Sequence, residues 1–388
     1  MPPAAPGHAR AVIAPRPAVP DPAVPRHAWA EPGPEPVAEG VVRIPLPLPS
    51  DALRAVNVYV LVSDTDLTLV DGGWAISEAR EVLRRGLAGL GADVGDIRRF
   101  LVTHLHRDHY TQAAALGRET GADVALGVGE RESLARIGVD APLQQQFAAL
   151  HRCGAGALAE HLRELVGTGG GEDIGAGGSQ QQQRPATSDF PPPDRWLSDG
   201  QELTVAGRRL VAVETPGHTR GHLVFTDDTL APPGSSGGGT GLLFAGDHVL
   251  PHITPSIGFE PDPRPGALGR FLASLAKVRA MGDRTLLPAH GPAGGSTHVR
   301  VDELLDHHRR RLDAAAAVVA GADGPVAAVE VAGVLTWTRR ETALADLEPF
   351  QRMLAVLETD AHLEVLAAED RLRRTSGSDG VVLHRPEG

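Results

Sequence analysis

Apolar residues recur along this chain in two rhythms. Short runs at Asn57–Val62, Leu67–Val70, Phe100–Thr103, Arg209–Val213, Leu223–Thr226 and Leu242–Ala245 are rich in Val, Leu and Phe. Turn formers such as Ser63-Asp64-Thr65-Asp66 bound them, so they predict strands. Ile76–Leu90 has the other rhythm, with Ala79, Val82, Leu83 and Leu87 on one side at helical spacing. Tyr110–Glu119 predicts a second helix. Strand groups alternating with helices imply sheets covered by helices. Val70-Asp71-Gly72 and Ala245-Gly246-Asp247 each end a strand in a sharp turn bearing Asp, which points to an internal duplication.

The pattern changes toward both ends. Residues 1–38 are broken by Pro and predict a disordered leader, with order starting near Val41. From about Val301 helices dominate, with Val326–Leu335 and Phe350–Leu366 as candidates. Arg371–Arg374 and Val381–His384 flank Ser376-Gly377-Ser378-Asp379-Gly380, a hairpin signature, so the order is winged-helix-like. Residues 39–298 then form the main domain and 299–388 a small C-terminal one. Two low-complexity stretches, 167–195 and 232–241, predict loops grown between elements.

Composition removes several classes. The single cysteine, Cys153, excludes a disulfide scaffold and any Cys-rich metal site. No apolar run reaches the length of a membrane span. Met1 to Glu39 lacks the basic start and apolar stretch of a secretory signal, so a cytoplasmic location is expected. A net charge of -12 argues against a dedicated nucleic-acid binder.

The candidate chemistry lies in Thr103-His104-Leu105-His106-Arg107-Asp108-His109, four potential ligands just after a predicted strand. A chain leaving a strand can point His104 and His106 one way and Asp108 and His109 another. Imidazole and carboxylate suit zinc and also accept iron or manganese. Three more sites follow apolar runs: His218 in Thr215-Pro216-Gly217-His218-Thr219-Arg220-Gly221-His222, Asp247 in Phe244-Ala245-Gly246-Asp247-His248, and His290 in Pro288-Ala289-His290-Gly291. All are therefore expected at one edge of the core.

These motifs, in this order, resemble the metallo-β-lactamase superfamily of hydrolases over roughly Val41 to Pro292. The resemblance implies an α/β fold, an αββα sandwich, here with a small helical, winged-helix-like C-terminal domain. It implies two divalent metal ions, zinc first among them. His104, His106 and His218 would bind the first, Asp108, His109 and His290 the second, with Asp247 bridging. Asp71 resembles the family's supporting aspartate, orienting a ligand histidine or holding its turn. Two close cations can share a water and lower its pKa toward roughly 7, giving a hydroxide that attacks a carbonyl or phosphorus. Asp108 and Asp247 are then the catalytic carboxylates.

Other residues are read more plainly. His222 and His248 adjoin ligand motifs and are expected behind the ligands. Tyr110 either faces substrate or packs, and His252 lies on a loop expected to border the site. His307-His308-Arg309-Arg310-Arg311 is a solvated basic face or an anion clamp.

The Thr-Pro-Gly-His-Thr-x-Gly-His signature resembles glyoxalase II and related thioester hydrolases, though Leu105 stands where glyoxalase II has His. The expected substrate is a small-molecule thioester or other carboxylic ester, acyl-CoA-like or glutathione-like. The alternative is a phosphodiesterase or endoribonuclease of the same superfamily. Arg339–Glu387 carries seven arginines against ten acidic residues, a poor surface for a phosphate backbone.

Overall fold

A computed structural model describes residues 27–49, 53–139, 143–167, 189–229, 241–261 and 263–387. The first sheet contains β1 (Glu35–Ala38), β2 (Val41–Pro47), β3 (Ala55–Val62), β4 (Leu67–Val70), β5 (Ile97–Leu101), β6 (Asp123–Gly127) and β7 (Arg195–Leu197), ordered as in the chain. Pairing is antiparallel from β1 to β4 and parallel from β4 to β7. The second sheet contains β8 (Glu202–Val205), β9 (Arg208–Glu214), β10 (Leu223–Asp227), β11 (Gly241–Gly246) and β12 (Arg284–Pro288). Only β11 and β12 pair in parallel there.

Both faces of each sheet are covered, which explains why the strands read as nearly continuous apolar runs. Tyr59, Leu61, Val70 and Leu101 from the first sheet meet Leu210, Ala212, Phe225 and Phe244 from the second. On the outer face of the first sheet, Val56, Val58 and Val60 pack under α1 (Ser77–Ala88) and α2 (Arg107–Thr120). Three shorter helices follow, α3 (Arg131–Arg136), α4 (Gln144–Arg152) and α5 (Gly156–Gly167). The outer face of the second sheet, with Val213, Val224, Leu243 and Ala245, is covered by α6 (Ala267–Ala280) and α7 (Thr297–Ala320). The result is an αββα sandwich.

The C-terminal region adds β13 (Val326–Ala327), α8 (Ala328–Val334), β14 (Thr336–Trp337), β15 (Thr342–Ala343), α9 (Pro349–Ala368), β16 (Leu372–Ser376) and β17 (Val382–Pro386). The expected hairpin is the antiparallel β16–β17 pair, with β13 as a third strand. Met353, Val356, Leu363 and Leu366 of α9 join Phe271, Leu275 and Leu304 in one buried cluster. This region therefore shares a core with the sandwich.

Four boundaries differ from the sequence reading. Order begins before Val41: β1 pairs with β2, and buried Arg43 donates to the Trp29 carbonyl and to Asn57 Oδ1 at 2.8 Å each. A buried guanidinium needs acceptors, and the end of the Pro-rich segment supplies one of them. Residues 1–26 of the expected leader lie outside the described residues. The stretch expected as a loop over 167–195 ends earlier, because Asp194 accepts from Val124 N at 2.9 Å and Arg195 opens β7. Residues 168–188 and 230–240, which hold most of both low-complexity stretches, also lie outside the described residues. Helix α2 starts at Arg107 and not at Tyr110, so Asp108 and His109 occupy its first turn. Val326 and Ala327 pair with β17 before α8 begins, so that helix is shorter than expected.

Close backbone approach ties the halves together at Gly221, just before β10. A Cβ there would press into the Glu130 and Gly129 backbone. Gly221→Ala is expected to destabilise the protein by about 1–3 kcal/mol, since two backbone segments must part. Urea unfolding of the variant beside the parent measures this.

Candidate metal centre

Every motif residue sits at the same edge, past the C-terminal end of a strand. His104 and His106 follow β5, His218 lies in the turn between β9 and β10, Asp247 follows β11, and His290 follows β12. Gly246 has φ +50, and a Cβ there would collide with Thr103 and His222. That position therefore favours glycine, and its bend delivers Asp247 to the edge.

Two groups could each hold a metal ion: His104, His106, His218 and Asp247, and beside them Asp108, His109 and His290. In the first, His104 Nε2 lies 2.9 Å from His106 Nδ1, and His218 Nε2 lies 3.2 and 3.1 Å from those two atoms. Asp247 Oδ2 is 3.4 Å from His218 Nε2. In the second, Asp108 Oδ2 lies 3.6 Å from His109 Nε2 and 3.4 Å from His290 Nε2. Asp247 Oδ1 lies 3.7 and 3.4 Å from the same two nitrogens. One carboxylate thus turns an oxygen to each group.

The far side of each ring decides what its near side offers. His106 Nε2 donates to the Phe259 carbonyl at 2.8 Å, and His218 Nδ1 to the Ser256 carbonyl at 2.7 Å. His290 Nδ1 donates to the Ala55 carbonyl at 2.8 Å, and His109 Nδ1 to Asp71 Oδ2 at 2.9 Å. Thr103 Oγ1, 3.0 Å from His104 Nδ1, accepts from it and passes its own hydrogen to Asp71. A ring held this way, with no second proton, presents its lone pair inward. Three lone pairs at 2.9–3.2 Å cannot bond one another, and a shared cation resolves them. In the second group, His109 Nε2, His290 Nε2 and Asp247 Oδ1 are buried with no hydrogen-bond partner. The donors and the orphaned atoms both fit bound divalent cations.

Electrostatics separates the two groups. Burial holds His104 well below the usual imidazole range, helped by His109 and His106, and it lowers His218 to about 4. Burial also pulls His109 down, but Asp108, Asp71 and Asp247 outweigh it and lift the ring to about 9. The second group is therefore a pocket for positive charge.

The structure places the remaining expected residues as follows. Asp71, φ +62, accepts from Thr103 N at 2.8 Å as well as from His109, so it both holds its turn and orients a ring. His222 Nε2 accepts from Asp247 N at 3.1 Å, and its ring stacks on His104. His248 is buried against Phe271. Tyr110, read as either facing substrate or packing, is fully buried, stacks on Phe190 and donates to the Pro191 carbonyl. At the fourth position of α2 it belongs to the buried layer between that helix and the first sheet. His252 is exposed on the loop after Asp247. The basic run on α7 is not a free clamp, because Arg309 and Arg310 pair with Asp306, His308 is buried, and Arg311 covers Trp337. The carbonyls of Ala55, Ser256 and Phe259 were missed, since a backbone acceptor leaves no mark in the sequence.

Two outcomes follow from this geometry. Asp71→Asn keeps a residue that tolerates positive φ but loses one of two acceptor oxygens. Chelator competition is expected to show metal affinity at the second group lowered by about 10–100-fold. Glu130, fully buried beneath the His218 turn, accepts from Thr219 Oγ1, and burial raises its carboxyl from the usual 4.5 to about 8. The folded protein keeps a proton that the unfolded chain releases, so this residue's contribution falls as pH rises from 4.5 to about 8. Melting temperatures of the parent are expected to lose several degrees relative to Glu130→Gln between pH 5 and pH 9.

Comparison with known proteins agrees with this geometry. The Metallo-beta-lactamase superfamily model matches residues 51–290. An atrochrysone carboxyl ACP thioesterase of Aspergillus aculeatus is 29% identical over 31% of this chain and 34% of its own length. The match thus spans about a third of such fungal relatives. A probable metallo-hydrolase of Bacillus subtilis is 26% identical over 86% of this chain and 94% of its own. The solved structure of a metallo-beta-lactamase family protein from Thermus thermophilus has 28% identity and a TM-score of 0.64, covering 89% of this chain and 98% of that one. With the motif residues gathered at one edge of an αββα sandwich, the chain belongs to the metallo-beta-lactamase superfamily of hydrolases.

Proposed function

We propose that this chain is a dinuclear-metal hydrolase of a thioester or other carboxylic ester, with an acyl-CoA-like or glutathione-like leaving group. The observation that carries the reading is Asp247, whose two oxygens face the two groups of ligands. His104, His106 and His218 would hold the first ion, Asp108, His109 and His290 the second, and Asp247 would bridge. Nitrogen-rich donors with carboxylates favour zinc, with iron or manganese as alternatives. Two divalent ions held there would supply Lewis acidity and lower the pKa of a bound water.

The chain's own residues do the rest. In this reading Asp108, the more exposed of the two carboxylates at 17% against 8% for Asp247, would orient the attacking water and help handle its proton. Asp71, Thr103 and His222 keep the ligands oriented, so little reorganisation accompanies reaction. His252 borders the substrate, on a loop whose carbonyls at Leu250, Ile253 and His252 accept from Arg300 and Arg339. The C-terminal region, read as winged-helix-like, thereby shapes entry.

A fungal relative named as a carrier-protein thioesterase supports the ester reading, and the acidic C-terminal region speaks against nucleic acid. No helix among the described residues is long and apolar enough to cross a membrane. The buried, single Cys153 accords with the cytoplasm.

Purified, zinc-reconstituted protein assayed on acyl-CoA thioesters and on single-stranded RNA tests the proposal. Thioester turnover is expected, and Asp247→Ala is expected to lower it by more than about 100-fold, the scale of losing an electrostatic stabiliser. RNA cleavage lost in the same variant, with no thioester turnover, would put the endoribonuclease reading in its place.

A further inference from the structure

The supports of the two ligand groups are unequal. His290 leans on Ala55 at the start of β3, and His109 on Asp71 at the end of β4. His104 leans on Thr103, two residues past β5. His106 and His218 instead donate to Phe259 and Ser256, in a segment with no helix or strand. Something must hold that segment to within hydrogen-bonding tolerance.

Glu260, next to Phe259 in that segment, is 5% exposed. The carboxylate accepts from Ser133 Oγ of α3 at 2.8 Å and from Arg220 N at 3.2 Å. Arg220 Nε stands 3.5 Å from the same oxygen. The Glu260 carbonyl accepts from Gln146 Nε2 of α4 at 2.9 Å. Arg220 is two residues beyond His218 in the same turn. One side chain therefore ties the two acceptor carbonyls, the His218 turn and α3 together. A backbone hydrogen bond, Gly258 N to the Gly217 carbonyl at 3.0 Å, also joins segment and turn.

We propose that Glu260 is a positioning residue for the first metal ion, fixing the Ser256 and Phe259 carbonyls that set the tautomer and aim of His218 and His106. The inference rests on the metal reading given above. It makes the two ligand groups separable: losing Glu260 weakens the first and spares the second, whose supports are strand ends.

The test is a zinc titration of the full chain against a competing chelator, with the d–d absorption of the cobalt-substituted protein as a second readout. Glu260→Ala is expected to lose about 10–100-fold in affinity for one ion of two, as outer supports of metal ligands do. Its cobalt spectrum is expected to change for one site. Glu260→Gln keeps an acceptor oxygen and is expected to recover most of the affinity. Ser133→Ala, which removes one donor and leaves the carboxylate in place, guards against a variant that fails to fold and is expected to shift the same ion by a smaller factor. Two ions bound at parental affinity in both Glu260→Ala and Ser133→Ala would overturn the proposal. So would equal losses of both ions. A parent protein that binds no zinc or cobalt would instead overturn the metal reading itself.

Discussion

Three imidazole lone pairs converge at 2.9–3.2 Å with no hydrogen to share, beside a carboxylate that faces them and a second group of donors. The rest of the structure answers that constraint. Buried acceptors without donors cost free energy, so such an arrangement persists only if the surroundings over-determine it. The sandwich supplies this through strands that end at one edge and cannot move independently. Each is covered on both faces by apolar layers. The apolar core thus carries the cost of a polar site that an ion would relieve.

The same constraint explains the dense hydrogen bonding one layer out. A histidine that ligates must have its other nitrogen committed, or its ring can rotate and its tautomer can exchange. All five imidazoles of the two candidate groups meet that requirement, four through a carbonyl or carboxylate and one through a hydroxyl. Thr103 links two of these supports, since it meets His104 and also donates to Asp71, which holds His109. One histidine of each group, His104 and His109, thus shares a support at Thr103 and Asp71, while His106 and His218 rest on separate carbonyls.

The sequence marked the residues of both groups because each is a histidine or aspartate lying just past a strand. Leu67–Val70 has its predicted bounds, because turn formers flank it on both sides. Composition misled where backbone pairing decided the outcome. Pro36 lies in an edge strand that pairs with β2 despite the Pro-rich surroundings, and Arg195 closes the first sheet after a low-complexity run. Tyr110 beside the motif left substrate contact and packing both open, and as the fourth residue of α2 it is fully buried in the core. Ser256 and Phe259 act through their carbonyls, which any residue could provide, so no reading of side chains would have found them.

The duplicated layout carries an offset that assigns the two turn aspartates different tasks. In each half an antiparallel strand pair is followed by a strand added in parallel, and a left-handed residue ends the middle strand. In the first half that residue is Asp71, φ +62, and its carboxylate reaches Thr103. In the second half it is Gly246, φ +50, and Asp247 comes one residue later. A side chain at Gly246 would strike Thr103, with His222 also in the way. Thr103 is occupied once, by Asp71, and the quasi-equivalent position must be bare. The displaced carboxylate then emerges one residue on, in front of the histidines and not behind them. A shift of one position in a repeated turn thus turns a supporting aspartate into one that faces both ligand groups.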